Sequence, residues 1–191
     1  RLMRMELLTT KRSESVLRWA VPDDAPGIAE VHVTSWQEAY RGILPDLYLA
    51  GLDRTARTRW WRHFIAEGAQ VHVVEHKGTI VGFCSAGDSN DVGRGEVFSI
   101  YVHPAHWGEG HGRELLAGAE EELAGDGHAH ALLWVLEDNL RGRSFYERQG
   151  WRLAKPFRLE RIGGVQVTEL RYEKDLPASS GPDRGHPDRS P

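Results

Sequence analysis

Cysteine is nearly missing from this chain: there is one, Cys84, in 191 residues. A single thiol excludes an intramolecular disulfide framework and fits a reducing compartment, so a cytoplasmic protein is expected. No apolar run is long enough to span a bilayer. No hydrophobic core of a secretory signal follows the basic start of the chain. Charge of one sign is also lacking. Lys and Arg number 24 against 28 Asp and Glu, a formal net charge of −4, whereas a nucleic-acid surface needs a clear basic excess. No internal repeat of solenoid period is present. The abundance of Arg, Ala, Gly and Trp fits a bacterial source with a GC-rich genome.

The length suits one domain with a real core. Residues 1–14 are polar apart from a patch at Met5–Leu8 and are expected to be a flexible leader. Residues 176–191 are rich in Pro, Ser, Gly, Asp and Arg and are expected to be a disordered tail. Between them, 15–175 reads as a single domain. Val16–Val21 is a first strand. Asp23 and Asp24 are positioned to cap a helix whose inner face is Ile28, Ala29, Val31, His32, Ser35, Trp36 and Ala39, with a stop at Gly42. A short helix over 46–52 and another capped by Asp53 and carrying Trp60, Trp61, Phe64 and Ile65 follow. Residues 70–76 and 79–87 read as a hairpin turning at Lys77-Gly78. A strand over 131–136, a helix from Asn139 to Gly150, and a hairpin of 151–158 with 165–172 complete an α/β pattern.

One stretch organises the rest. Val97–Val102 is apolar, β-branched or aromatic at most positions, as a buried strand requires. Pro104 ends it. Gly108, Gly110 and Gly112 then lead into a helix with Leu115, Leu116, Ala119 and Leu123 on one face. A glycine loop opening a helix offers free N–H groups and the positive end of the dipole to an anion. It is not a P-loop, because no lysine follows Gly112, and its Gly-x-Gly-x-Gly spacing is not the dinucleotide fingerprint.

The run Trp107-Gly108-Glu109-Gly110-His111-Gly112, after a strand ending Val102-His103-Pro104, resembles the acetyl-CoA pyrophosphate loop of the GNAT superfamily of N-acetyltransferases. Trp107 stands where that loop usually has Arg or Gln. A second segment, Asn139-Leu140-Arg141-Gly142-Arg143-Ser144-Phe145-Tyr146, followed by Gly150-Trp151, is similar to the fourth-helix motif of the same enzymes. The resemblance covers roughly residues 15–174. It implies a mixed, mostly antiparallel sheet of about seven strands with helices on both faces, and acetyl-CoA as co-substrate. It also implies that Gly108, Glu109, Gly110, His111, Gly112 and Arg113 hold the pyrophosphate. Asn139 would bond the pantetheine, and the open edge of Ile100, Tyr101 and Val102 would pair with it. Tyr146 would protonate the leaving thiolate, and Glu96 would act as general base directly or through water. Taken as residues alone, Tyr146 reads more readily as a core tyrosine beside Phe145 than as a catalytic group, and Glu96 equally as a charged strand end. Strict alternation would put Glu96, Phe98, Ile100 and Val102 on one side of the strand.

Trp36 and Tyr40 lie one turn apart and would wall an acceptor pocket, or belong to the core. The run Tyr40-Arg41-Gly42-Ile43-Leu44-Pro45 is similar to a bacterial group that includes spermidine/spermine acetyltransferases, so a polyamine is one acceptor to test among small-molecule amines. An acetyl-CoA sensor without turnover and a protein N-terminal or lysine acetyltransferase are the alternatives. A homodimer through the sheet edge is open. No metal is expected: His103, His106 and His111 surround the loop and His128 and His130 sit across from it, but no acidic or cysteine partner clusters nearby. His111 is expected to face solvent, and Cys84 to be a packed thiol.

Overall fold

The computed structural model describes residues 15–177. The leader and residues 178–191 of the expected tail lie outside the described residues. Seven strands are formed: β1 (Ser15–Trp19), β2 (Val71–His76), β3 (Thr79–Asp88), β4 (Gly95–Val102), β5 (His130–Leu136), β6 (Arg152–Ile162) and β7 (Val165–Asp175). They make one sheet in the order β1-β2-β3-β4-β5-β7-β6. Every pairing is antiparallel except β4 with β5.

Five helices cover the sheet: α1 (Ala25–Ala39), α2 (Asp46–Ala50), α3 (Arg54–Ala66), α4 (His111–Gly125) and α5 (Leu140–Arg148). On one face α4 lays Leu115, Leu116, Ala119 and Leu123 against Val74, Val81, Cys84 and Val97. On the other, α1 and α3 bury Ile28, Val31, Trp61 and Ile65 against Val71, Val73 and Phe83. Each set repeats at the helical period, so burial of one apolar stripe holds each helix on the sheet. Truncating a fully buried leucine such as Leu115 would cost about 2–5 kcal/mol.

The ends of the elements differ in instructive ways from the sequence reading. Asp53 does cap α3, accepting from the N–H groups of Thr55 and Ala56 at 2.7 and 3.1 Å. Asp24 makes no side-chain cap to α1. A 3-10 turn over Pro22–Asp24 precedes that helix, and the Asp24 carboxylate instead accepts from Val21 N–H and from Arg18. Tyr40, not Gly42, closes α1. Gly150, at φ +84°, ends α5 as expected, and Lys174 Nζ donates to Gln149 O there at 2.9 Å. The ordered chain also passes the expected boundary at 175. Leu176 is buried in the α4 core, and its N–H donates to Ala129 O.

Candidate active site

The parallel pair that joins the two halves of the sheet is short. Only Gly95, Glu96 and Val97 of β4 align with Ala131, Leu132 and Leu133 of β5. Past that point β5 stays with β7 to Leu136, and β4 stays with β3 to Val102. The two strands therefore fork. His103 N–H donates to Val81 O at 2.8 Å. By antiparallel alternation, the backbone groups of Ile100 and Val102 turn to the open edge. Val102 O is already taken there, by Ser35 Oγ at 2.9 Å and Trp107 Nε1 at 2.7 Å. The N–H groups of Ile100 and Val102 and the carbonyl of Ile100 have no strand beside them.

The fork opens a cleft of about 520 Å³. Its walls come from α1, the glycine loop, the start of α4, the free ends of β4 and β5, α5 and the β6–β7 hairpin. Trp36, Tyr40, Ile100, Tyr101, Val102, Gly108, Gly110, His111, Gly112, Arg113, Asn139 and Tyr146 all line it. Glu96 and Glu109 are not among the lining residues.

A β-bulge decides which side of β4 Glu96 occupies. Ser85 aligns with Ser99 but Ala86 with Val97, leaving Phe98 as the extra residue. The strict alternation expected from sequence is thereby broken. Val97, Ile100 and Val102 pack toward α4, whereas Tyr101 packs toward α1 and α3. Glu96, next to Val97, falls on the Tyr101 side and not with Ile100 and Val102. It is half-buried, and Ser89 Oγ donates to it at 2.9 Å. Burial pushes its carboxyl above the usual carboxylate range, with the Ser89 hydrogen bond acting the other way.

In the loop, Gly108 and Gly110 have φ of +87° and +94°, a conformation side chains resist. Gly112 differs: it sits inside α4 with ordinary helical backbone, and a Cβ there would touch Phe145 at 3.4 Å. Its role is access, not conformation. The Trp107 indole pins the loop to the end of β4 through Val102 O. The guanidinium of Arg141 lies 3.7 Å above the Trp107 ring. His111 does not face solvent as expected; its side chain is 7% exposed. The expected absence of an acidic partner is also overturned, because Glu109 Oε2 stands 2.9 Å from His106 Nδ1 and 3.2 Å from His111 Nε2. His128 and His130 instead meet Asp88 and Asp175 elsewhere.

Across the cleft, Asn139 caps α5, its Oδ1 accepting from Gly142 N–H at 3.0 Å. Its amide N–H₂ is the donor it can offer a ligand. Tyr146 is two turns on, packed against Phe145 and Trp151. Burial holds its phenol far above the ordinary range, so it stays protonated. On the α1 side, Tyr40 Oη and Tyr101 Oη are 3.3 Å apart, both kept neutral by burial. Trp36 packs edge-on to Tyr40. His32 stacks on Tyr101, and its Nδ1 accepts from Trp61 Nε1 at 3.1 Å.

The GNAT acetyltransferase family model matches residues 30–151. The uncharacterized N-acetyltransferase YuaI of Bacillus subtilis is 35% identical over 126 residues, 64% of this chain and 72% of YuaI. The L-amino acid N-acyltransferase MnaT of Escherichia coli is 37% identical over 126 residues, 63% and 69% of the two chains. The crystal structure of the PaiA N-acetyltransferase from Thermoplasma acidophilum with coenzyme A superposes with a TM-score of 0.64 at 20% identity, covering 85% of this chain and 99% of that one. The chain belongs to the GNAT acetyltransferase family. It is an acetyl-CoA-dependent N-acetyltransferase.

This GNAT chain also carries a site residue that its sequence did not flag. Glu169, on β7, is the one carboxylate among the described residues that line the cleft, and it pairs with Arg158 at 2.6 Å. No motif surrounds it. It reaches the cleft because β7 lies beside β5, where β5 has already left β4. Cys84 is buried among the α4 core, its thiol pushed well up by burial. A thiol held protonated in that way is no nucleophile. Among the described residues, no helix is long and apolar enough to cross a membrane.

Proposed function

We propose that this protein transfers the acetyl group of acetyl-CoA to the primary amine of a small molecule by direct attack in a ternary complex. The observation that carries the reading is the fork between β4 and β5, with an unpaired strand edge on one side and Tyr146 on the other. The pyrophosphate lies on the backbone N–H groups of 108–113, at the positive end of α4. The pantetheine pairs with the free groups of Ile100 and Val102 and meets the Asn139 amide. The thioester carbonyl then points at the strand edge, whose N–H receives the developing oxyanion. The neutral amine attacks the carbonyl carbon, the C–S bond breaks, and Tyr146 gives its proton to the departing thiolate.

The amine enters from the α1 side, between Trp36, Tyr40 and Glu169. Glu169 presents a carboxylate to the ammonium. Glu96, raised by burial and on the face of Tyr101, takes the proton through water. An acceptor that itself carries a carboxylate fits this pocket better than a polyamine. A polyamine has several cations to satisfy, whereas the described lining supplies one carboxylate, already paired with Arg158. Acceptors of the amino-acid class are also what the name of the Escherichia coli relative specifies. Action as a single domain, starting near residue 15 and running past 175 to take in Leu176, is part of the same proposal.

The test is release of free CoA from acetyl-CoA across a panel of amino acids, polyamines, aminoglycosides and peptides. Turnover best with an amino acid or its close analogue is expected. Turnover only with polyamines would refute the acceptor class. Acetyl-CoA binding without turnover on any amine would support the sensor reading instead.

A further inference from the structure

A cluster of imidazoles stands beside the glycine loop, with His106 and His111 among the residues lining the cleft, and the proposed acetyl transfer uses none of its side chains. His106 closes the 3-10 turn after β4, and Glu109 lies between Gly108 and Gly110. His111 is the first residue of α4. Both histidines meet the same Glu109 oxygen, at 2.9 and 3.2 Å. One ligand atom from each of the three residues falls within a 4.8 Å sphere of separations. In a tetrahedral zinc site with bonds of 2.0–2.2 Å, neighbouring ligand atoms stand roughly 3.4 Å apart. The Glu109 oxygen is therefore within about half an ångström of that spacing from each imidazole, and the two imidazole nitrogens lie within 4.8 Å of each other.

Their surroundings add to this. The His111 ring is nearly buried, so its orientation is fixed by packing. Its other nitrogen, Nδ1, stands 4.0 Å from a Glu114 oxygen, beyond hydrogen-bond reach. The His76 ring lies 5.6 Å from that of His106 and 6.0 Å from that of His111, with its Nδ1 on Ser15 Oγ. Its Nε2 is thus the nitrogen left to approach the cluster.

We infer that His106, Glu109 and His111 form a binding site for a divalent transition ion of the zinc class, with a fourth position filled by water or His76. Two nitrogens and one carboxylate favour zinc, copper or nickel and disfavour magnesium, which prefers all-oxygen sites. The ion would join the end of the β4 turn to the first residue of α4 and so clamp the glycine loop between them. Acetyl-CoA is not needed for this site to form.

Tag-free protein without acetyl-CoA is titrated with zinc by calorimetry at about pH 7.5, in a buffer that does not chelate. One equivalent should bind in the micromolar range or tighter. His106→Ala and Glu109→Gln, both exposed enough to leave the fold intact, should each weaken zinc binding at least about tenfold, since losing even an outer partner of a ligand costs roughly 10–100-fold. His130→Ala, at a distant histidine, should leave it unchanged, and magnesium should give no heat. X-ray absorption of the zinc-loaded protein should report nitrogen and oxygen ligands only. Zinc binding that survives in both loop variants, or a magnesium isotherm matching that of zinc, overturns the inference. So does the lack of any stoichiometric equivalent. Because every measurement omits acetyl-CoA, a failure here leaves the acetyltransferase reading untouched, and the reverse holds.

Discussion

His32 offers a test of the packing behind the acceptor pocket. Its ring is 7% exposed, enclosed by Trp36, Trp61, Phe83 and Tyr101. Burial lowers its pKa from 6.5 to about 3, with Arg57 adding to the shift. The folded state therefore keeps the imidazole neutral, while the unfolded chain protonates it below its ordinary pKa. Above that value both states are neutral and the residue adds no pH dependence. As pH falls below it, the unfolded state gains a proton that the folded state refuses, and stability drops by about 1.36 kcal/mol per pH unit. From about pH 7.5 to about pH 5, the loss assigned to His32 is about 2 kcal/mol, since one and a half units lie below the unfolded pKa. His32→Gln keeps an acceptor for Trp61 Nε1 but cannot titrate. Urea unfolding of both proteins at the two pH values isolates the residue, because other titrations, including that of His72, cancel in the difference. The wild type should lose about 2 kcal/mol more than the variant. Equal losses would show that His32 is solvated or protonated in the folded state.

Five further outcomes follow from the site. Tyr146→Phe should lower turnover about a hundredfold or more with acetyl-CoA affinity nearly unchanged, because the hydroxyl acts only as the thiolate forms; steady-state kinetics with calorimetry separate the two. Gly110→Ala should destabilise the fold by about 1–2 kcal/mol through its left-handed backbone, seen by denaturant unfolding. Gly112→Val should stay folded yet bind acetyl-CoA more weakly by calorimetry, because its helical backbone tolerates a side chain but the pyrophosphate's approach does not. Glu96→Gln should lower the rate at neutral pH and recover as pH rises, since more amine is then already neutral; a pH–rate profile superimposable on the wild type would move the base to Glu169 or a water chain. Arg141→Ala should raise the acetyl-CoA dissociation constant with no change in unfolding midpoint.

The core was legible because its signal is periodic. Leu115, Leu116, Ala119 and Leu123 repeat at the helical spacing, and the structure buries all four. The glycine loop and the α5 segment were legible because backbone conformation and capping demand particular residues at fixed intervals. Glu96 shows where local reading fails. A bulge adds one residue to β4 at Phe98, and no residue type in Glu96–Ser99 announces it, because the cause lies in pairing with β3. Glu169 was invisible for a related reason: its place in the cleft is set by β5 leaving β4, a contact between segments distant in sequence. The histidines were visible as residue types, but their partner was hidden inside the loop. Glu109 looked like part of an anion cradle, and only the turn at Gly108 and Gly110 folds it back between two imidazoles.

Trp107 stands where related loops carry Arg or Gln, and the structure suggests how the chain manages without that side chain. The indole N–H ties the loop to Val102 O, while the ring face holds the Arg141 guanidinium at 3.7 Å. Arg141 adds a cation to the cleft wall from α5, beside Arg113 at the start of α4. The two arrangements differ mechanically. A loop arginine brings its charge wherever the loop goes, whereas Arg141 belongs to the same short helix as Tyr146. The stack therefore ties the glycine loop on one side of the cleft to the helix bearing the proposed acid on the other. Trp107→Arg would restore a loop cation but release Val102 O and place two like charges side by side. If the stack is what joins the two walls, that variant should bind acetyl-CoA no better than the wild type despite its extra charge, and Trp107→Arg with Arg141→Ala should bind better than Trp107→Arg alone. Tighter binding by the single variant would show that charge, not the join between loop and helix, limits affinity.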